Sequence, residues 1–244
     1  MSIYRESARH YDALYRQLFD HGAAASALRQ HIAHLNPVAV CLVEAACGTG
    51  LILEQLAPEF RVAGFDLSPD MIALARHRLP GAPLFVADMT TWSAHERYDA
   101  IVCVGGSIRY VQTEDLLRQT VRRFADHLTL GGVLLIEPWF PPAVWEDGRQ
   151  TLNTVDEPEL KIVRLLTSSR DGERSVLDIE FLIGREARVE RFAERHVMGL
   201  FTDDQMRAAF VEASLTVDWD VDYPTGRGLY VGQRRSGDPI NPVE

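Results

Sequence analysis

The sequence predicts an α/β fold with a mostly parallel sheet covered by helices on both faces. Three observations carry that prediction. From residue 39 short apolar runs alternate with helical segments, a glycine-rich turn follows the first run, and a block of alternating polarity breaks the rhythm between 159 and 198. Strand–helix alternation builds βαβ units with right-handed crossovers, hence parallel strands. The chain has 244 residues, 46% hydrophobic and 25% charged, which suffices for one sizeable core and excludes wholesale disorder.

The elements follow in order. Tyr4, Ala8, Tyr11, Tyr15, Leu18 and Phe19 recur at helical spacing, predicting an amphipathic helix over 4–19, and a second helix covers 23–34. Val40–Ala46 is a buried strand, closed by Cys47-Gly48-Thr49-Gly50 and followed by the helix LILEQLAPEF. Arg61–Asp66 is the second strand, after which Ser68 caps a helix with Pro69 at its first position. Leu84–Ala87 and Tyr98–Val104 are strands three and four; Thr113–His127 is helical, and Leu130-Gly131-Gly132 leads into strand five, Val133–Glu137. Lys161–Ser168, Ser175–Ile183 and Arg188–Met198 alternate in polarity, with Asp171-Gly172 and Gly184-Arg185 as turns, so they form a three-stranded antiparallel meander. Thr202 caps a helix over Asp203–Ala213, two strands follow near 215–221 and 228–233, and residues 234–244 form a loose tail.

Several function classes are excluded at this level. No run of 18 apolar residues exists, so no transmembrane helix and no membrane partner are expected. The N-terminus has no apolar signal core, and the three cysteines (Cys41, Cys47, Cys103) sit in or beside apolar runs, the pattern of buried thiols in a cytoplasmic protein. A net charge of −10 without a basic block argues against a nucleic-acid partner. The cysteines lack ligand spacing, so no metal site is expected.

Glu44-Ala45-Ala46-Cys47-Gly48-Thr49-Gly50 is the most informative segment. Its glycines let the backbone turn tightly and approach a ligand at the carboxyl edge of the sheet, and Asp66 ends the second strand, where a carboxylate can accept both hydroxyls of a ribose. A dinucleotide fold shares that logic but needs G-x-G-x-x-G; the third glycine position holds Leu53. Glu44, inside the strand, would repel a pyrophosphate and suits a cationic ammonium. The segment resembles motif I of the class I S-adenosyl-L-methionine (SAM) methyltransferases. The resemblance implies a Rossmann-like methyltransferase sheet and SAM as cofactor, with S-adenosyl-L-homocysteine as product. It implies cofactor contacts from Tyr11, Glu44, Ala45, Gly48, Gly50, Asp66, Leu67, Met71, Asp88, Met89 and Val104. The sequence departs at Ala46, where many members have glycine.

A narrower resemblance covers nearly the whole chain. Glu137-Pro138-Trp139-Phe140, Ser168-Ser169-Arg170, Glu194-Arg195-His196 and Gly226-Arg227-Gly228-Leu229-Tyr230 are similar to the TDP-aminosugar N,N-dimethyltransferases of deoxysugar biosynthesis. That likeness implies a nucleotide-sugar acceptor, an N-terminal lid (1–35), a SAM-binding core (36–140), an antiparallel insertion over the active site (141–200), the rest of the core (201–233) and a homodimer. Gly106-Ser107-Ile108-Arg109-Tyr110-Val111 places Tyr110 where relatives carry a histidine. Tyr110 and Glu137 are therefore the candidate proton acceptors, and Tyr15, Ser107, Trp139, Arg170, His196 and Arg227 the candidate substrate contacts. Each has a structural alternative: Tyr11 and Tyr15 as core stripe, His196 as a packed strand residue, Arg227 as a surface ion pair instead of a phosphate ligand. Three functional alternatives also stay open: a SAM methyltransferase for another small acceptor, an NAD-dependent oxidoreductase, and a non-catalytic SAM-binding protein.

Overall fold

A computed structural model describes Tyr4 and residues 6–235. The central sheet has seven strands: β1 (Cys41–Ala45), β2 (Arg61–Asp66), β3 (Leu84–Val86), β4 (Tyr98–Cys103), β5 (Leu128–Ile136), β10 (Asp218–Asp220) and β11 (Leu229–Gln233). Their order is β10-β11-β5-β4-β1-β2-β3, with β1 to β5 parallel and β11 antiparallel to both of its neighbours. The order reverses between β1 and β4, so the carboxyl ends of these strands open a crevice there, the usual ligand position in open α/β sheets.

Alternate residues of each strand feed two cores. Leu42, Val62, Val102 and Leu135 pack against α2 (His21–Leu35), α3 (Leu51–Leu56) and α4 (Pro69–Arg78). Val43, Phe65, Ile101 and Leu134 pack against α5 (Glu114–Asp126) and α6 (Asp203–Glu212). The expected caps are in place: Ser68 accepts from the Met71 amide, and Thr202 forms a reciprocal capping box with Gln205. α3 stops at Leu56, short of the expected 60, because Pro58 follows closely.

The meander has four strands, one more than the periodicity predicts: β6 (Gln150–Glu157), β7 (Leu160–Asp171), β8 (Arg174–Arg185) and β9 (Arg188–Gly199), paired in that order. β6 is an edge strand in which only Val155 is fully buried, so it lacks the apolar alternation that marks its neighbours.

The N-terminal segment divides. α1 spans Ala8–Leu18, later than the expected start at 4, and the Ser7 hydroxyl donates to Glu194 of β9 instead of capping the helix. α1 packs against β6 and α4, whereas α2, also assigned to the lid, buries Ala24, Ala25, Leu28 and Ile32 in the core under the sheet. α1 covers the crevice through Tyr11 and Tyr15, and α2 reaches it only with His21 and Ala24 at its start. At the other end Arg234, assigned to the tail, is buried and donates to the carbonyls of Ala125 and Leu128, and the tail beyond 235 lies outside the described residues.

Candidate active site

The turn after β1 is built on left-handed backbone at Ala46 (φ 54°), Gly48 (φ 54°) and Gly50 (φ 81°). Ala46 takes a conformation that costs a residue with a Cβ roughly 1–2 kcal/mol. A Cβ on Gly48 would project into open space, where the loop borders a cavity of about 810 Å³. Gly50 turns away from that cavity toward Ala75 of α4 and Leu79 just after it, so it tightens the loop from behind. Ala45 likewise lies in the core, and Ala46 lines the cavity in its place.

Asp66 ties this loop to the next one. Its two carboxylate oxygens accept the Gly48 amide at 2.9 Å and the Ser68 amide at 2.8 Å. A carboxylate can accept about four hydrogen bonds, so these bonds leave Asp66 with acceptor capacity. Glu44 faces the same cavity, fully buried, with Oε2 making no hydrogen bond within the protein. Burial, then the charge of Asp66, pushes the Glu44 carboxyl well above the usual carboxylate range. Leu67, Met71, Asp88, Met89, Val104 and Ser107 complete the predicted wall.

A second cavity, of about 350 Å³, lies between α1, the segment after β5 and the inner face of the four-stranded sheet. Trp139 and His196 line it, and Tyr4, Tyr11, Tyr15, Arg109 and Arg227 border both cavities. The Tyr11 and Tyr15 rings stack with centroids 4.0 Å apart, forming part of the partition. Trp139 Nε1, Trp145 Nε1 and both ring nitrogens of His10 are buried without a hydrogen bond inside the protein.

Three predicted site residues are placed otherwise than expected. Glu137 Oε2 accepts the Gly105 amide at 2.6 Å, and its Oε1 is held by the Arg227 guanidinium, with side-chain exposures of 1% and 7%. A carboxylate engaged at both oxygens braces the sheet edge and is poorly placed to collect a proton, and Arg227 is already neutralised rather than offered to a phosphate. Arg170 sits near the β7–β8 turn, its Nε donating to the Gly172 carbonyl, and borders neither cavity. It shares the face of β7 that carries Ile162, Arg164, Leu166 and Ser168 but lies beyond them at the hairpin end.

Tyr110 and His196 meet across the partition. Tyr110 Oη lies 2.6 Å from His196 Nδ1 and 2.9 Å from Tyr4 Oη. His196 Nε2 lies 3.2 Å from Glu194 Oε2, and Glu194 Oε1 accepts the Ser7 hydroxyl at 2.7 Å. Burial opposes the Glu194 charge, but the bonds from His196 and Ser7 hold its carboxyl below the usual range. Burial raises the Tyr110 phenol despite the opposing charge of Arg109. Arg109, which the sequence left without a role, is buried; Nη1 donates to the Gly105 and Gly106 carbonyls, and the group stacks 4.0 Å over Trp139. Asp12, equally unforeseen, accepts the Thr49 hydroxyl at 2.6 Å and pairs with Arg78, fastening α1 over the glycine-rich loop. The Asp12 bonds and the stacking of Arg109 on Trp139 join distant segments, so no local pattern announces them.

Residues 42–132 match a methyltransferase domain family. The dTDP-3-amino-3,4,6-trideoxy-alpha-D-glucopyranose N,N-dimethyltransferase of Streptomyces venezuelae is 35% identical over 87% of this chain and 91% of its own length. The dTDP-3-amino-3,6-dideoxy-alpha-D-glucopyranose N,N-dimethyltransferase of Streptomyces fradiae is 36% identical, covering 85% of this chain and 81% of that one. Among solved structures, a SAM-bound amino pentose methyltransferase of calicheamicin biosynthesis from Micromonospora echinaspora superposes with a TM-score of 0.84 at 34% identity, covering 92% and 96% of the two chains. Similarity of this extent, carried through the insertion as well as the sheet, shows that the chain belongs to the family of SAM-dependent aminosugar N-methyltransferases.

Proposed function

We propose that the chain transfers methyl groups from SAM to the amine of a dTDP-linked 3-amino-3,6-dideoxyhexose, once or twice, in specialised metabolism. The observation that carries this reading is the pairing of two cavities across one thin partition, an acidic one at the sheet's switch point and a smaller one roofed by the insertion.

The larger cavity fits SAM. Glu44 offers a buried, unpartnered oxygen to an ammonium, Asp66 retains lone pairs for two ribose hydroxyls, and Gly48 leaves open space beside them. Asp88 and Met89 would flank the adenine, with Leu67, Met71 and Val104 as apolar wall and Tyr11 as cover. SAM, when bound, supplies an electrophilic methyl on a sulfonium centre. The protein's own share is to align, dry and neutralise. Alignment of two reactants contributes up to about 7–11 kcal/mol in favourable models. α1 and the four-stranded sheet exclude water around the partition.

The smaller cavity fits an oxygen-rich acceptor. The unpaired donors of Trp139, Trp145 and His10 await acceptor oxygens, and the Arg164 guanidinium lies 5.8 Å from the Tyr15 ring centroid at the same wall. Tyr15 and Trp139 are the contacts assigned to the sugar, Ser107 borders the larger cavity beside the transferred methyl, and His196 lines the wall with both ring nitrogens bonded. The reading includes a cytoplasmic setting, which the free cysteines Cys41, Cys47 and Cys103 suit. It also includes pairing of two copies through the outer face of the four-stranded sheet, where Leu152, Leu165 and Leu182 are exposed; light scattering tests that. Among the described residues no helix is long and apolar enough to cross a membrane.

The test is mass spectrometry of the purified protein with SAM and the dTDP-3-amino-3,6-dideoxyhexose. A gain of one or two methyl masses is expected. No gain, with S-adenosyl-L-homocysteine bound tightly, retains the methyltransferase and removes the aminosugar.

A further inference from the structure

An alkyl amine presents a chemical difficulty that the partition answers. Near neutral pH it is mostly the ammonium, which has no lone pair for attack on a methyl carbon. A site that binds the ammonium must take away one proton before transfer.

The hydrogen bonds around Tyr110 fix the direction in which a proton can move. Glu194 is ionised and can only accept, so His196 Nε2 carries the hydrogen between them. His196 Nδ1 is then an acceptor, and Tyr110 Oη donates to it at 2.6 Å. With its own hydrogen committed, Tyr110 Oη accepts from Tyr4 Oη at 2.9 Å and has one lone pair left. Tyr110 borders the larger cavity and His196 the smaller one, so the pair stands at the boundary of the two spaces, within reach of an amine bound there.

The geometry points to Tyr110, His196 and Glu194 as a proton relay that converts the bound acceptor from ammonium to amine. The ammonium N–H bond breaks and its proton goes to Tyr110 Oη, while the phenolic proton passes to His196 Nδ1. The nitrogen keeps the electron pair, Tyr110 ends as a neutral phenol, and the positive charge now rests on the His196 imidazolium beside the Glu194 carboxylate. Net charge is unchanged and no redox partner is needed. His196 discharges through the smaller cavity when the product leaves. Tyr110 is the catalytic residue; His196 and Glu194 act through it as positioning residues.

The groups facing His196 set the balance. Glu194 lies on the same strand, 3.2 Å from His196 Nε2; Arg109, whose guanidinium lies 5.0 Å from the Tyr110 ring centroid, also reaches this strand, its Nε donating to Met198 Sδ at 2.8 Å. Tyr4, 5.0 Å away between ring centroids, and Ser7, bonded to Glu194, are neutral, and across β8 the paired residue is Leu177. The carboxylate that His196 bonds directly stands beside the charge that the relay leaves on the ring. This inference rests on the aminosugar reading, and its test separates the two.

The protein bound to S-adenosyl-L-homocysteine is titrated with the dTDP-3-amino-3,6-dideoxyhexose while the imidazole nitrogens of His196 are followed by long-range proton–nitrogen NMR, assigned with His196→Gln. Protonation of Nδ1 on binding the amine, but not the matching 3-hydroxy sugar nucleotide, is the expected result. Binding of the amine with Nδ1 unprotonated overturns the relay and leaves the aminosugar reading intact. No binding of the amine overturns that reading and the relay with it. In turnover, Tyr110→Phe loses about 10²-fold in kcat, the lower range for acid–base catalysis, with little change in the acceptor KM. Activity of Tyr110→Phe and of His196→Gln then recovers up to about tenfold per pH unit between pH 7 and 9, as solution delivers neutral amine. A loss that is independent of pH overturns the relay.

Discussion

The carboxylate of Glu137 and the guanidinium of Arg227 form a buried ion pair that joins the end of β5 to the loop before β11, 90 residues apart. The pair holds the Gly105 amide at the same time and so fixes the loop where the two cavities meet.

Removing one partner strands a buried charge. Glu137→Ala and Arg227→Met should each destabilise the protein by about 3–5 kcal/mol, seen as a lower urea midpoint. Glu137→Gln combined with Arg227→Met should recover most of that loss, because the amide oxygen still accepts from Gly105 and no charge is left. A double variant as unstable as the singles would show that the attraction within the ion pair, and not a stranded charge, carries the energy.

Glu44→Gln should weaken SAM binding about 10- to 100-fold by calorimetry, the worth of a hydrogen bond to a charged group at roughly 1.5–3 kcal/mol. Its effect on stability has the opposite sign. Burial raises the Glu44 carboxyl in the folded protein, so this group's favourable contribution is present at low pH and is lost as pH rises from the ordinary carboxylate value through the raised one. At pH 8 without ligand, Glu44→Gln should therefore melt above the parent protein while showing a smaller rise on adding SAM. A variant that binds SAM unchanged would displace Glu44 from the cofactor site.

Asp12 fastens α1 to the loop after β1 through Thr49 and Arg78. Asp12→Ala should speed amide exchange across residues 8–18 without changing exchange in β1 or β4. At roughly 1 kcal/mol for a partly exposed pair, kcat/KM for the acceptor should fall about fivefold. Unchanged exchange in α1 would mean that its contacts with the four-stranded sheet suffice to hold it.

The strand–helix alternation, the Ser68 and Thr202 caps, the glycine-rich turn and the placement of Asp66 were all legible in the sequence. Each depends on residue types a few positions apart, where periodicity, φ preference and capping act. Glu44 was legible too, because a carboxylate inside an apolar strand is conspicuous. β6 escaped because an edge strand with one buried side chain leaves hardly any alternation to detect.

Tertiary structure alone decided the rest. Glu137 and Arg227 exchange their expected roles for a mutual one because the order β4-β5-β11 brings their segments together. Tyr110 gains His196 from 86 residues away because β9 runs beside the turn after β4. Arg109 enters the site for the same reason, and Tyr4 because the N-terminal segment passes over that junction. Local sequence sets what each segment can become, through backbone preferences and burial patterns. Which side chains come within hydrogen-bonding reach depends on how distant segments cross, and that was fixed only when the sheet and its insertion packed.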